Sequence, residues 1–364
     1  MTIQSVFSAL ATSGSNNDLE ADKSTPITFK FAPGSGLALP SSSGDSTKHQ
    51  QGIQKFPAGI NYGSQNYSAG FAVSGSADKG YLYFTDAGNN IVKVVTAPPF
   101  SSLNLKATNK EQYEKFNHMG GFQIAEGMLA VGMEEAGEDD HGSVVFLYSM
   151  PSLLGPDPTP VPLYVIEQHP QTAGAIGICP SPAGWWLVLS DYGCKNLEFV
   201  ILNTSQRPPN TSPFTVAGTW NSDMGITPGS VDRKWPSGDG AYQNLNLFCD
   251  SAGVLWMIGM DNDGYWRATP QPDEDWADLY QVTFTPNPSP QAKFPNTVSL
   301  TKKTKLHLKI KRNSSEDSAS FLFGAGFYLN NPGSSDPGPF EVYVCSRWQS
   351  KENTANQFLT PAPK

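Results

Sequence analysis

The 364-residue chain carries 24 Lys plus Arg against 33 Asp plus Glu, a formal net charge of −9. That balance, with no basic cluster dense enough to track a phosphate backbone, excludes nucleic acid as a partner, and no run approaches the roughly 18 apolar residues that a spanning helix needs, which excludes membrane insertion. The length suits two ordinary domains or one large all-β domain.

Residues 1–24 are polar and rich in Ser and Asn, which predicts a loosely held N-terminal arm ahead of a single domain over 25–364. Met1 to Leu10 has neither a basic n-region nor a sustained apolar core, so the chain is expected to be cytoplasmic, or otherwise soluble without a recognisable signal peptide. Cys179, Cys194, Cys249 and Cys345 are widely spaced and read as buried reduced thiols.

Pro26 to Ala32 alternates apolar and polar residues, as a half-buried strand does. A first group of strands is predicted at His49–Phe56, Ala69–Gly75, Gly80–Asp86 and Asn90–Thr96. A second follows at Met119–Ala125, Met128–Met133, Ser143–Tyr148 and Val161–Glu167, with a tight turn at Glu126-Gly127. The third group is Ala173–Cys179, Trp185–Ser190, Leu197–Leu202 and Phe214–Trp220, and the fourth is Tyr242–Cys249, Val254–Gly259, Asp278–Phe284 and Lys305–Ile310. Lys302, Lys303, Lys305, Lys309, Lys311 and Arg312 form a basic run through which Leu306, Leu308 and Ile310 alternate, read as a solvated strand face. The fifth group, Ala319–Gly324, Gly326–Leu329 and Phe340–Cys345, lacks a fourth strand.

Two of these groups open on the same pattern, His-x-x-Gly-(Ile/Phe)-Gln, at His49-Gln-Gln-Gly-Ile-Gln54 and His118-Met-Gly-Gly-Phe-Gln123. Repeated four-strand units with frequent turn residues and almost no amphipathic helix predict an all-β, five-bladed β-propeller, with six blades as the alternative because 203–241 and 285–320 leave room for another sheet. Pro26–Ala32 is expected to complete the last blade, so that an N-terminal strand closes the ring. Small residues at Gly52, Gly120, Gly121, Ala173, Gly174 and Ala175 suit crowded innermost strands.

If each motif opens an innermost strand, His49 and His118 stand at the mouth of the axis, with Gln54 and Gln123 further along it and Gln243 and Asn244 opening the fourth unit. The loops between second and third strands fall at the same end. They carry Asp78, an acidic cluster from Glu134 to Asp140 with His141, Asp191, and a long loop holding Asp261, Asp263, Asp273, Glu274, Asp275, Trp266 and Trp276. The ligand-binding candidates are therefore His49, His118, Gln54, Gln123, Gln243, Asn244, Trp266 and Trp276. His49 and His118 are candidate ligands of a divalent metal ion, and His118 with Glu134 or Asp191 has the composition of a general acid–base pair. A structural reading stands beside these: the histidines fix strand entry, and the glutamines satisfy backbone groups. Trp185 or Trp186, and Trp256, inside apolar strands, are read as core.

His49-Gln-Gln-Gly-Ile-Gln54, His118-Met-Gly-Gly-Phe-Gln123, Gln243-Asn-Leu-Asn246 and Asp275-Trp-Ala-Asp-Leu-Tyr280 together resemble a group of uncharacterised microbial β-propeller-like proteins. The resemblance covers roughly residues 49 to 348 and carries no activity to transfer. The function expected is lectin-like binding of a small polar molecule, a glycan or a cationic metabolite, over an acidic axial face. Two alternatives use the same end: a hydrolase or lyase, metal-assisted or working through His118 and a carboxylate, and a protein-interaction platform.

Overall fold

Alternating apolar and polar residues become strands throughout the protein, whose structure is a computed structural model describing residues 27–29, 37–38, 50–56, 80–85, 91–95, 101–104, 116–135, 142–149, 162–168, 174–181, 184–191, 194–203, 213–228, 230, 235, 242, 244–250, 252–262, 275–310, 319–329, 340–346 and 355–359. Within strands, side chains are described chiefly between Phe116 and Lys305. Two short strands, β1 (Ile27–Phe29) and β2 (Leu37–Ala38), precede blade one, which comprises β3 (Gln50–Phe56), β4 (Gly80–Thr85), β5 (Ile91–Val95) and β6 (Ser101–Asn104). Blade two is β7 (Phe116–Ala125), β8 (Met128–Glu135), β9 (Ser143–Ser149) and β10 (Tyr164–Gln168). Blade three is β11 (Ile176–Ser181), β12 (Gly184–Ser190), β13 (Asn196–Leu202) and β14 (Phe214–Asn221). Blade four is β15 (Asn244–Cys249), β16 (Leu255–Asn262), β17 (Asp275–Pro286) and β18 (Asn296–Ile310). Blade five is β19 (Ala319–Leu329), β20 (Phe340–Ser346) and β21 (Ala355–Leu359), completed by β2. No helix among the described residues is long and apolar enough to cross a membrane.

The first strands of the blades pack in a ring, β3 on β7, β7 on β11, β11 on β15, β15 on β19 and β19 on β3. The protein is a five-bladed β-propeller. The described parts of 203–241 and 285–320 belong to β14, β17, β18, β19 and their connections, so they supply no sixth sheet.

Period-two alternation sorts each strand's side chains between two neighbours. In β12, Trp185, Leu187 and Leu189 join Met128, Ala130, Val145 and Leu147 of blade two, while Val188 and Trp186 turn to Leu245, Leu247 and Met257 of blade four. Each fully buried aliphatic or Phe side chain contributes roughly 1.5–3 kcal/mol of transfer free energy. Trp185 and Trp256 are buried, and Trp186 stacks on Phe284 with centroids 4.6 Å apart. Trp256 also donates to Asp250, whose other oxygen accepts the Ala252 and Val254 N–H groups and so shapes the β15–β16 turn.

The repeated motif has a local structural meaning. In β7 the ladder runs from Met119 opposite Met133 to Phe122 opposite Val131, so Gly120 and Gly121 form a bulge; in β3 a bulge likewise falls between Gln50 and Gly52. The bulge frees the Gly121 N–H to donate to Gly174 O of the next blade at 2.8 Å. Two residues on, Gln123 Oε1 accepts from Ile178 N (2.8 Å) and Leu247 N (2.7 Å), and its Nε2 donates to Leu247 O (3.0 Å). One buried amide thus ties the inner strands of blades two, three and four. Asn246 extends the series, accepting from Phe327 N of blade five at 2.8 Å and donating to Leu245 O. The inner strands approach closely: a Cβ on Gly177 would lie 2.9 Å from Val188 and 3.2 Å from the Leu247 nitrogen.

Several expectations need correcting. The inner strand of blade one pairs directly with Gly80–Thr85, so Ala69–Gly75, which lies outside the described residues, is not its second strand. Ser101–Asn104 is the fourth, and Asp78 precedes the second strand instead of following it. Ala319–Leu329 is one strand, because Phe321 to Gly324 bulge out of the ladder instead of turning. The third strand of blade five is Ala355–Leu359, and the closing N-terminal strand is Leu37–Ala38. Ile27–Phe29 instead lies parallel to Leu308–Ile310 on the rim of blade four. Short strands of polar sequence such as Ser-Ser-Leu-Asn carry no apolar alternation to mark them. The N-terminal arm over 1–24 lies outside the described residues.

Blades three and four are further joined at the rim, where β14 pairs in parallel with β18 at Gly218–Asn296 and Thr219–Thr297. Asn296 donates to Ala217 O, and a Cβ on Gly218 would stand 2.8 Å from Asn296 O and 2.7 Å from Val298. Replacing Gln123 by Leu is expected to lower stability in denaturant unfolding by about 3 kcal/mol or more, because three buried backbone groups lose their partner at once; a change below about 1 kcal/mol in that measurement contradicts the tying role.

Candidate functional site

In an antiparallel blade, the start of the first strand lies beside the end of the second and the start of the third. The registers place His118 opposite Glu134, and Glu134 opposite Ser143. They place Asn244 opposite Met260, Met260 opposite Ala277, and Asp261 opposite Trp276. In blade three, Ser190 brackets the inner-strand entry, its hydroxyl accepting from Ala175 N and donating to Ala175 O, and Asp191 follows. With inner strands aligned by Gly121 and Gln123, the residues His118, Glu134, Asp191, Asn244, Asp261 and Trp276 occupy one end of the ring.

The individual groups are differently employed. Asp191 Oδ1 accepts from Asn196 N at 2.9 Å and Oδ2 from the Asn196 amide, holding a turn in which Cys194 takes a positive φ of 51°. Gln123 is buried, with its oxygen and nitrogen engaged by backbone. Glu134 is buried beside the register position of His118. Trp276 is half-buried, with Lys305 Nζ 4.0 Å from its ring centroid, so a cation already covers one face. Asn244 is fully buried, and among the described residues neither its amide oxygen nor its amide nitrogen has a hydrogen-bond partner. His49, Gln243 and Trp266 lie outside the described residues, as do the side chains of His118 and Gln54. Among the described residues, no group of three His, Cys, Asp or Glu side chains is arranged to hold a metal ion.

A polar cluster that the sequence did not announce lies just inside the same end, between blades three and four. Asp278 Oδ2 accepts from Lys302 Nζ at 3.0 Å and from Tyr242 Oη at 2.6 Å, and the Tyr242 and Tyr280 hydroxyls are 2.7 Å apart. The Lys302 and Asp278 side chains are 1% and 3% exposed, so the pair is buried. Among the described residues, Asp278 Oδ1 has no partner. Gly259 stands opposite Asp278, and a Cβ there would fall 2.7 Å from the Tyr242 ring; the missing side chain is what lets Tyr242 reach the carboxylate. Trp235 packs edge-on against Tyr242 and donates to Cys194 O.

The basic run therefore needs correction at Lys302. It continues the inward parity of Val298 and Leu300, in an unbroken register that sets it opposite Tyr280 across the strand pair. The parity was visible in the sequence, but a lysine in a lysine-rich run carries a strong prior of exposure.

Burial raises the Tyr242 phenol well above its ordinary value, and the negative charge of Asp278 adds to the effect. Burial likewise pushes the Cys194 thiol up to about 12, with Asp191 and Asp261 raising it further against hydrogen bonds from Ser190 and to Tyr242 O. This thiol is inert at neutral pH.

No family model matches the chain, and no curated protein matches it. Among solved structures, the β-propeller domain of Myceliophteria thermophila Cps50 (Swd1) is similar at 7% identity and a TM-score of 0.33, over 77% of this chain and 65% of that one. The chain thus spans less than two thirds of that domain's length. A regucalcin from Agrobacterium tumefaciens, a calcium-binding protein, is similar at 12% identity and a TM-score of 0.34, over 78% of this chain and 72% of that one.

Two measurements check this geometry. Lys302→Met is expected to cost about 3–5 kcal/mol in unfolding free energy by stranding a buried carboxylate, and Lys302→Met with Asp278→Leu to recover much of it. Because the folded Cys194 thiol lies above its unfolded value of 9.0, the unfolded state releases its proton first as pH rises. Its contribution is intact below pH 9 and is lost between there and about 12, so Cys194→Ala should show a shallower alkaline decline in stability, by up to about 1.4 kcal/mol per pH unit.

Proposed function

We propose that this propeller binds a small polar ligand, a glycan or a cationic metabolite, at the end of the ring where the inner strands begin. Asn244 carries the reading. Burying an amide without a partner costs about 1–3 kcal/mol, and a ligand hydroxyl or ammonium group offers the missing hydrogen bonds. Glu134, buried at the same end, supplies a carboxylate acceptor, and Trp276 an aromatic edge. His118, His49, Gln243 and Trp266 complete the proposed set by their positions in the chain.

A second reading, an enzyme using His118 and Glu134 as an acid–base pair, is favoured by their register, since directly opposed residues have Cβ atoms about 5 Å apart. A divalent ion held by His49 and His118 belongs to this reading, and elemental analysis of purified protein tests it.

The experiment is a glycan array with a metabolite thermal-shift screen on the full chain, repeated with Asn244→Leu. The variant should be as stable as the parent or up to about 1 kcal/mol more so, since an unpaired amide is gone, while affinity for any hit falls at least about tenfold, the equivalent of one lost hydrogen bond. Unchanged affinity in the variant sinks the assignment of Asn244. Conversion of a hit, lost in His118→Ala, favours the enzyme reading instead.

A further inference from the structure

At the opposite end of the inner strands, blades three and four bring two thiols together. Cys179 and Cys249 are both free and buried, at 3% and 9% exposure, and belong to one apolar cluster with Ala175, Leu245 and Leu247. Their alignment follows from the strands that carry them. Gln123 Oε1 accepts from Ile178 N and Leu247 N together, and the Cβ direction of Gly177 points at Leu247, 3.2 Å from its nitrogen and 3.1 Å from its Cγ. Gly177 and Leu247 are thus neighbours across the blade interface. Both strands run the same way from there, each advancing roughly 6.6 Å over two residues and returning to the same face, which brings the next inward residues level: Cys179 on β11 and Cys249 on β15. The two groups also sense one another: beyond the dominant effect of burial, a charge on Cys249 raises the Cys179 thiol, as does Glu126 of blade two.

We infer that Cys179 and Cys249 form an oxidisable pair, which a low-molecular-weight disulfide converts into a covalent bond between blades three and four. Cys249, the less buried thiol, loses its proton and attacks one sulfur of the reagent; that S–S bond breaks, and one reagent thiolate leaves. Cys179, deprotonated in turn, attacks the Cys249 sulfur of the mixed disulfide, and the second reagent thiolate leaves. The protein gives up two electrons and two protons, and the reagent is reduced to two thiols. Cys194 lies near the other end of the blade interface, its thiol donating to Tyr242 O, and takes no part.

The full-length protein is incubated with oxidised glutathione, both under native conditions and just below its unfolding temperature, then quenched in acid, digested without reductant and mapped by mass spectrometry. The expected product is a Cys179–Cys249 linked peptide, a loss of two hydrogens from the intact mass, and an unfolding midpoint raised by about 5 °C. Cys249→Ser should abolish the link and leave Cys179 reduced. The inference is overturned if Cys179 and Cys249 remain reduced at both temperatures, if glutathione stays attached to Cys249 unresolved, or if Cys179 pairs as readily with Cys194 or Cys345.

Discussion

The amide of Gln123 is the constraint on which the arrangement of the ring depends. Inner strands of a propeller face one another side on, so their backbone groups toward the axis have no ladder partner within their own blade. A buried N–H or C=O left in that state is costly, and the geometry leaves no room for a further strand. Gln123 meets the difficulty with a planar group that both accepts and donates, reaching two neighbouring blades from one position. Asn246 on blade four reaches one neighbour, accepting from Phe327 N of blade five while donating to Leu245 O of its own strand. The glycine bulge two residues before Gln123 belongs to the same solution, since it turns the Gly121 N–H out of its own ladder toward Gly174.

Against this satisfied frame, two places stand out as polar and incompletely matched. Asn244 sits one alternation before Asn246 on the same face of the same strand, yet among the described residues its amide has no partner. Asp278 has one oxygen surrounded by donors and the other, among the described residues, without one. The first lies at the strand entry, where loops converge, and it carries the functional proposal. The second is enclosed by Tyr242, Tyr280 and Lys302 and holds blade four against the aromatic wall of Trp220 and Trp235. Chemically similar groups thus take different parts according to whether the surrounding side chains already complete them.

Blades two, three and four were legible in the sequence almost strand for strand, because most of their strands are buried on at least one face and alternation records that directly. Blades one and five were not. Their outer strands are short and polar, and closure of the ring depends on Leu37–Ala38, whose two residues carry no periodicity at all. The described parts of the two His-x-x-Gly-(Ile/Phe)-Gln copies fall on β3 and β7, but spacing alone does not separate a glutamine that binds backbone from one that meets a ligand. The Asp278–Lys302 pair was hidden for another reason: Lys302 keeps the inward parity of Val298 and Leu300, but a lysine inside a lysine-rich run reads as exposed whatever its parity.

The rim pairing of Gly218 and Thr219 with Asn296 and Thr297 makes the propeller mechanically uneven. Most neighbouring blades touch through side chains over a wedge that is narrow at the axis and open at the circumference, and such a contact permits a small tilt. Blades three and four are hydrogen-bonded at the circumference as well as tied at the axis, so their eight strands run on as one continuous sheet. Splaying that seam requires breaking backbone hydrogen bonds at the rim in addition to separating side chains, which makes the pair a double-width block within the ring.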